Sequence, residues 1–154
     1  MTNALWREVL TDRDVDVRRD ALQQLAHTEL EDTSVLDDVL AMLEEEDALV
    51  VDAAAFALGE HLYVAAVVPL CRTAAEHEDA RCRESAIASL GAIGDDRARA
   101  TIIAALHDKP PIRRRAVVAL SNFEGPDIEA ALEEAGEDKD WQVRSAVAQL
   151  RDDD

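Results

Sequence analysis

Asp79-x-x-Cys82-Arg83-x-x-Ala86-x-x-x-Leu90 stands at the middle of the chain, and the same phrase returns on either side of it. Upstream it reads Asp14-x-x-Val17-Arg18-x-x-Ala21-x-x-x-Leu25, then Asp47-x-x-Val50-Val51-x-x-Ala54-x-x-x-Leu58. Downstream, Ile112-Arg113-x-x-Ala116-x-x-x-Leu120 has its acid one residue further back, at Asp108. A last copy opens as Asp140-x-x-Val143-Arg144 and then drifts, with Ala146 and Leu150 one residue early. Between the valine-equivalent positions the steps are 33, 32, 30 and 31 residues. Self-similarity at such a period marks a stacked repeat array.

Each repeat reads as a helical hairpin. In the stretch from Asp95 to Ser121, Asp95 or Asp96 can accept from free backbone N–H groups and start a helix. Ala98, Ile102, Ala105 and Leu106 then form one apolar stripe at helical spacing. Pro110 disfavours helical geometry in the residue before it, and Pro111 suits the first turn of the next helix. Ile112, Ala116, Val117 and Leu120 make the second stripe. This spacing predicts first helices near 34–45, 64–77, 96–107 and 127–135. Second helices are predicted near 15–27, 48–60, 80–92, 111–122 and 141–151, with a short helix at 3–10. Pro69 is expected to kink its helix or mark its real start. Gly59, Gly91, Gly94, Gly125 and Gly136 are expected after or between helices, where glycine supplies the left-handed conformation. The reading is an all-α protein, an α-α superhelix of about five hairpins in one domain over 1–154. Its units are 1–30, 31–62, 63–94, 95–124 and 125–154. The last, with Glu129, Glu133, Glu134 and Glu137 on its first helix, reads as a cap.

Composition narrows the function classes. Hydrophobic residues make up 48% of the chain but aromatics only 3%, so Ala, Leu and Val must fill closely packed interfaces. Against 34 acidic residues stand 16 basic ones, of which only Lys109 and Lys139 are lysines; the formal net charge is −18. Such a surface repels nucleic-acid phosphates and anionic membranes at long range. It also matches the acid-rich, lysine-poor composition of halophilic proteins, for which molar salt shortens the screening length to about 3 Å. The opening residues have neither a basic leader nor a long apolar run, and no stretch reaches membrane-spanning length, so a cytoplasmic location is expected. Cys71 and Cys82 read as free structural thiols; their spacing is not that of a zinc site.

The Asp-x-x-Val-Arg-x-x-Ala phrase on the second helix of a hairpin resembles HEAT repeats. With its unit of about thirty residues and the junction Leu90-Gly91-x-Ile93-Gly94-Asp95, the chain is similar to the HEAT-like α-solenoids of phycobilisome lyase subunits over nearly its whole length. The resemblance implies a ladder of ion pairs between adjacent units. Its acids would be Asp14, Asp47, Asp79, Asp108 and Asp140, and its arginines Arg18, Arg83, Arg113 and Arg144, with a break at Val51. A carboxylate at a helix N-terminus meets free N–H groups, and an arginine one unit away can fork onto it.

Two chemistries of HEAT-like proteins find little support in these residues. A di-iron hydroxylase of this class carries His-Glu pairs just after the helix-starting arginine; here those places hold Arg19-Asp20, Asp52-Ala53, Glu84-Ser85, Arg114-Arg115 and Ser145-Ala146. No metal or other cofactor is therefore expected. Serines on the repeated helices lack a base beside them, and carboxylate pairs in so acidic a chain carry no information about acid–base catalysis. DNA-binding relatives use a richer basic ridge with interleaved aromatics, so no nucleic acid is expected either. The arginines left over from the ladder are Arg19, Arg81, Arg114 and Arg115. Equivalent positions in stacked units lie side by side, so these four are expected to form a basic ridge for a protein partner. The leading reading is a non-enzymatic protein-interaction scaffold or assembly factor. The alternative is a lyase or chaperone-type subunit acting on a tetrapyrrole-bearing protein.

Overall fold

The computed structural model describes residues 1–152; Asp153 and Asp154, at the end of the cap unit, lie outside them. Among the described residues there are ten α-helices and no strand. They are α1 Asn3–Leu10, α2 Val15–Ala26, α3 Val35–Ala41, α4 Ala48–Glu60 and α5 Val67–Glu76, followed by α6 Ala80–Ile93, α7 Arg99–Ala104, α8 Pro110–Leu120, α9 Pro126–Ala135 and α10 Trp141–Asp152. Short 3-10 turns extend α3, α5 and α7. Odd and even helices pair as hairpins, and the hairpins stack in chain order.

Local chemistry accounts for the boundaries. Asp14, Asp47, Asp79 and Asp140 each accept from backbone N–H groups two or three residues ahead, at 2.8–3.3 Å, and so start α2, α4, α6 and α10. Asp108 does not cap α8; Lys109 holds the capping position and supplies no side-chain bond. The reason is the pair Pro110-Pro111, which has no N–H groups for a cap to satisfy. Pro69 proves to mark a start. Residues Val64–Ala66 form a 3-10 turn, and Pro69 is the third residue of α5, where an N–H would be unpartnered anyway.

The core is a layer of small side chains between the two helices of each hairpin and between hairpins. Leu22, Leu25, Leu58, Leu70, Ile87, Leu90, Ile102, Ile112 and Leu120 are fully enclosed. Two glycines have a role different from the one expected. Gly59 and Gly91 lie inside α4 and α6, not after them. A Cβ on Gly91 would meet Ala119 Cβ at 2.6 Å and Cα at 2.8 Å; one on Gly59 would meet Ser89 Cα at 2.8 Å. Both mark places where consecutive even helices touch backbone to backbone. Gly136, likewise, follows α9 in right-handed geometry. Gly94 (φ 69°) does end α6 in the left-handed conformation, and Gly125 (φ 131°) precedes α9.

These contacts set the curvature. The even helices make the main contacts between neighbouring units. The odd helices stand further apart and leave a groove of about 360 Å³ between α5 and α7, lined by Ala74, Ala75, Ala100 and Ala104. A two-layer stack that is tighter on one side bends towards it, so the even helices form the inner face. At the C-terminal end, Val117, Ala135, Val143, Ala146 and Val147 form a small satellite core. Glu129, Glu133, Glu134 and Glu137 are exposed there.

Candidate partner-binding surface

The arginines divide by register. Arg83 Nε and an Nη donate to both oxygens of Asp108 at 2.9 Å, and its other Nη donates to the carbonyls of His77 and Glu78 at 2.8 and 3.0 Å. Arg113 repeats this one unit on, forking onto Asp138 at 2.9 Å and donating to the Asp108 carbonyl at 2.9 Å. Arg18 reaches Glu45 with one prong at 2.8 Å and the Asp12 carbonyl at 2.8 Å; its Nε is buried without a partner. Arg144 donates to the Asp138 carbonyl at 2.7 Å. Each arginine therefore braces its own inter-helix turn and, in three cases, seizes the turn of the next unit.

The acids of this ladder are Glu45, Asp108 and Asp138. Of the acids implied by the resemblance, only Asp108 serves; Asp14, Asp47, Asp79 and Asp140 are occupied as helix caps two residues downstream of the ladder position. The break at Val51 is matched by its partner position. Where an acid would stand, His77 accepts from the Asp79 N–H through Nδ1 at 3.0 Å, as Asp138 does from the Asp140 N–H at 2.8 Å. Arginine and acid are thus replaced together. Asp108 and Asp138 are held below the usual carboxylate range, first of all by the hydrogen bonds from Arg83 and Arg113.

Helical register places Arg19, Asp52, Glu84, Arg114 and Ser145 at equivalent positions on α2, α4, α6, α8 and α10. The expected basic ridge is therefore interrupted by two acids. Three of its four arginines are also engaged. Arg19 pairs with Asp16 and Asp20 at 3.3 and 3.5 Å. Arg81 forks back onto Asp79 at 2.9 and 3.3 Å, and its side-chain and backbone hydrogen bonds bring the Asp79 carboxyl down to about 2. Arg115 meets Glu84 at 3.4 Å. Among the described residues Arg114 has no carboxylate at ion-pair distance, and donates only to Gln142 Oε1 at 3.2 Å.

Apolar groups share this inner face. Gln23, Phe56, Ala88, Val118 and Gln149 are equivalent positions one turn further along the even helices. Phe56 is 40% exposed and Val118 47%. Two grooves open on the face. One, of about 740 Å³, lies between α2 and α4 beside Arg19, Asp52 and Phe56, where His27 packs edge-on to the Phe56 ring at 5.8 Å. The other, of about 270 Å³, lies between α8 and α10, bounded by Arg114, Arg115, Val118 and Trp141, the last 66% exposed. Sequence reasoning missed the apolar row. Phe56 and Val118 sit among apolar neighbours, and only three-dimensional register puts them outward. A third groove, of about 750 Å³, opens between α1 and α3 beside Arg7 and Arg18, whose partners Asp38 and Glu45 line it too.

Among the described residues no cluster of three His, Cys, Asp or Glu side chains could hold a metal ion. Cys82 is buried with its thiol against the Ala48 carbonyl at 3.2 Å, and burial pushes it up to about 11; both cysteines are free thiols. Among the described residues no helix is long and apolar enough to cross a membrane.

With inner face, ladder and hairpin stack in view, the family model for HEAT repeats matches residues 52–121. Those residues are HEAT repeats. The α-solenoid fold continues on both sides of them. The chain is similar to one in the complex of CpcE and CpcF of phycocyanin lyase from Nostoc sp. PCC7120, with a TM-score of 0.85 at 23% identity. That match covers 98% of this chain and 64% of the other, so this chain spans less than two thirds of the other's length. An engineered protein matches with a TM-score of 0.72 at 18% identity, over 97% of this chain and 78% of its own. A designed armadillo repeat protein, solved in complex with the peptide (KR)4, matches with a TM-score of 0.71 at 13% identity, over 96% and 79%. No curated protein matches in sequence.

Proposed function

We propose that this HEAT solenoid is a non-enzymatic scaffold or assembly factor that takes a segment of a protein partner across its inner face. The observation that carries the reading is the pair Phe56 and Val118: large apolar side chains left in water at one repeat position on the even helices, with the half-buried Ala88 at the same position between them. Large exposed apolar groups that line up in this way mark interaction surfaces more often than scattered ones do. Stacked helices extend such a row over several units, which suits an elongated ligand. A similar solenoid has been solved with a peptide, and another within a complex with a second protein.

Affinity capture from native lysate at molar salt, with mass-spectrometric identification, supplies the partner. Phe56→Asp and Val118→Asp are then expected to weaken its binding while leaving helical content unchanged. Full affinity in both variants would remove the inner face as the binding surface. The likeness to the CpcE–CpcF complex supports a second reading, a subunit that acts on a tetrapyrrole-bearing protein. Under that reading the captured partner carries visible absorbance above 350 nm, on the order of that of a conjugated tetrapyrrole.

A further inference from the structure

Arg114 is out of keeping with its surroundings. Acids outnumber bases by about two to one in this chain, and Arg19, Arg81 and Arg115 have each found a carboxylate. Among the described residues Arg114 has found only an amide, although it lies on the same face. Beside it the α8–α10 groove exposes Trp141 and Val118. Tryptophan and arginine are among the side chains enriched where binding energy concentrates at protein interfaces, and here the two line one groove.

We propose that the groove between α8 and α10 docks an acidic segment of a protein partner. One carboxylate pairs with Arg114, and an adjacent apolar side chain lies against Trp141 and Val118. The proposal rests on the scaffold reading and names the chemistry of the partner at one end of the face. The groove's volume, about 270 Å³, falls at or below the lower end of the range for small-molecule pockets. It suits one or two side chains of a longer ligand. Charge along the inner face fixes where such a segment sits. Asp20 and Asp52 repel it from α2 and α4, and Glu84 and Arg115 offset one another at 3.4 Å, whereas Arg114 attracts it to α8. The total charge of −18 opposes an acidic ligand at long range. At about 0.15 M salt, though, charges beyond roughly 8 Å are largely screened, and Arg114 in the groove itself decides the contact.

The test uses the intrinsic fluorescence of Trp141, since the other tryptophan, Trp6, is fully buried in the N-terminal hairpin. The probes are short acetylated peptides alternating glutamate with leucine, glutamate with serine, and lysine with leucine. The Glu–Leu peptide is expected to shift Trp141 emission and bind best. Arg114→Glu should weaken it about five- to tenfold at about 0.15 M salt, because reversal removes an attraction and adds a repulsion. Circular dichroism is expected to show an unchanged fold. No Trp141 response to the Glu–Leu peptide, equal affinity in Arg114→Glu, or a preference for the Lys–Leu peptide would overturn the proposal. The captured partner separates this failure from that of the scaffold reading. A partner weakened by Phe56→Asp but not by Arg114→Glu leaves the scaffold standing and removes this groove; a partner indifferent to Phe56→Asp, Val118→Asp and Arg114→Glu removes both.

Discussion

Single residues in this protein are decided by how completely they are paired. Arg113 and Asp138 have side chains only 9% and 14% exposed and share two hydrogen bonds; Arg18 gives Glu45 one and leaves its Nε without a partner. Arg113→Ala strands a largely buried carboxylate and the Asp108 carbonyl, so about 3–4 kcal/mol of stability should be lost. Arg18→Ala should cost less, about 1–2 kcal/mol, since the rung it breaks is single. Urea denaturation of the two variants checks the ranking, and equal costs would contradict the assignment of rungs. The same pairs set an acid limit. The carboxyls of Asp108 and Asp138 titrate lower in the folded chain than in the unfolded one, where about 3.9 is usual. Their contribution is therefore fully present above the unfolded value and is lost as pH falls through the lower folded values. Stability should decline below about pH 4, and the part of that decline due to Asp138 should vanish in Arg113→Gln. The arginines of the ladder were legible in the sequence because they repeat. Most of their acids were not, because Asp12 and Asp14, Glu45 and Asp47, and Asp138 and Asp140 stand two residues apart in their turns and only geometry divides cap from rung.

Helices here are positioned by what they lack as much as by what they carry. Gly91 in α6 lets the backbone touch Ala119 in α8, and the Gly91 carbonyl accepts from Asn122 Nδ2 at 2.8 Å. Alanine at this site would gain about 1 kcal/mol of helix propensity. Its Cβ, however, would stand 2.6 Å from Ala119 Cβ and 2.8 Å from its Cα, so two helices must separate. Overpacking of that kind costs about 1–3 kcal/mol, and Gly91→Ala should therefore be destabilising or at best neutral. Gly94→Ala should be destabilising for a different reason, its φ of 69°, with open space around the site. Thermal melts of both variants check the pair, and a clear rise in the midpoint for Gly91→Ala would contradict the close approach. Helix number and order were readable from period and stripe alone, as were the proline-marked starts. Packing glycines were not, because a glycine near the end of a helical stripe reads the same whether it terminates the helix or admits a neighbour.

The whole molecule must hold its charge together. A net −18 on 154 residues, in a stack without a single central core, places like charges along the full length of an elongated body. Repulsion between units acts over distances longer than the hydrogen bonds of the ladder, whereas cohesion comes from short-range contacts between neighbours. Salt therefore acts unequally on the two. Raising ionic strength from about 0.01 M to 1 M shortens the screening length from about 30 Å to 3 Å and removes most of the repulsion. It weakens the largely buried Arg83–Asp108 and Arg113–Asp138 pairs far less, since little water or counter-ion reaches them. The midpoint of thermal unfolding should accordingly rise steadily from low salt to several molar KCl, most steeply at the low end where screening changes fastest. Sodium sulfate would add its own exclusion effect, so KCl is the cleaner titrant. The same series run on Arg113→Ala separates the contributions. Its curve should lie below that of the parent by a nearly constant offset if the ladder is insulated from salt. A flat or falling series for the parent chain would mean that exposed ion pairs such as Arg7–Asp38 and Arg97–Asp95 outweigh the repulsion between units. The acidity would then have no stabilising use at high salt.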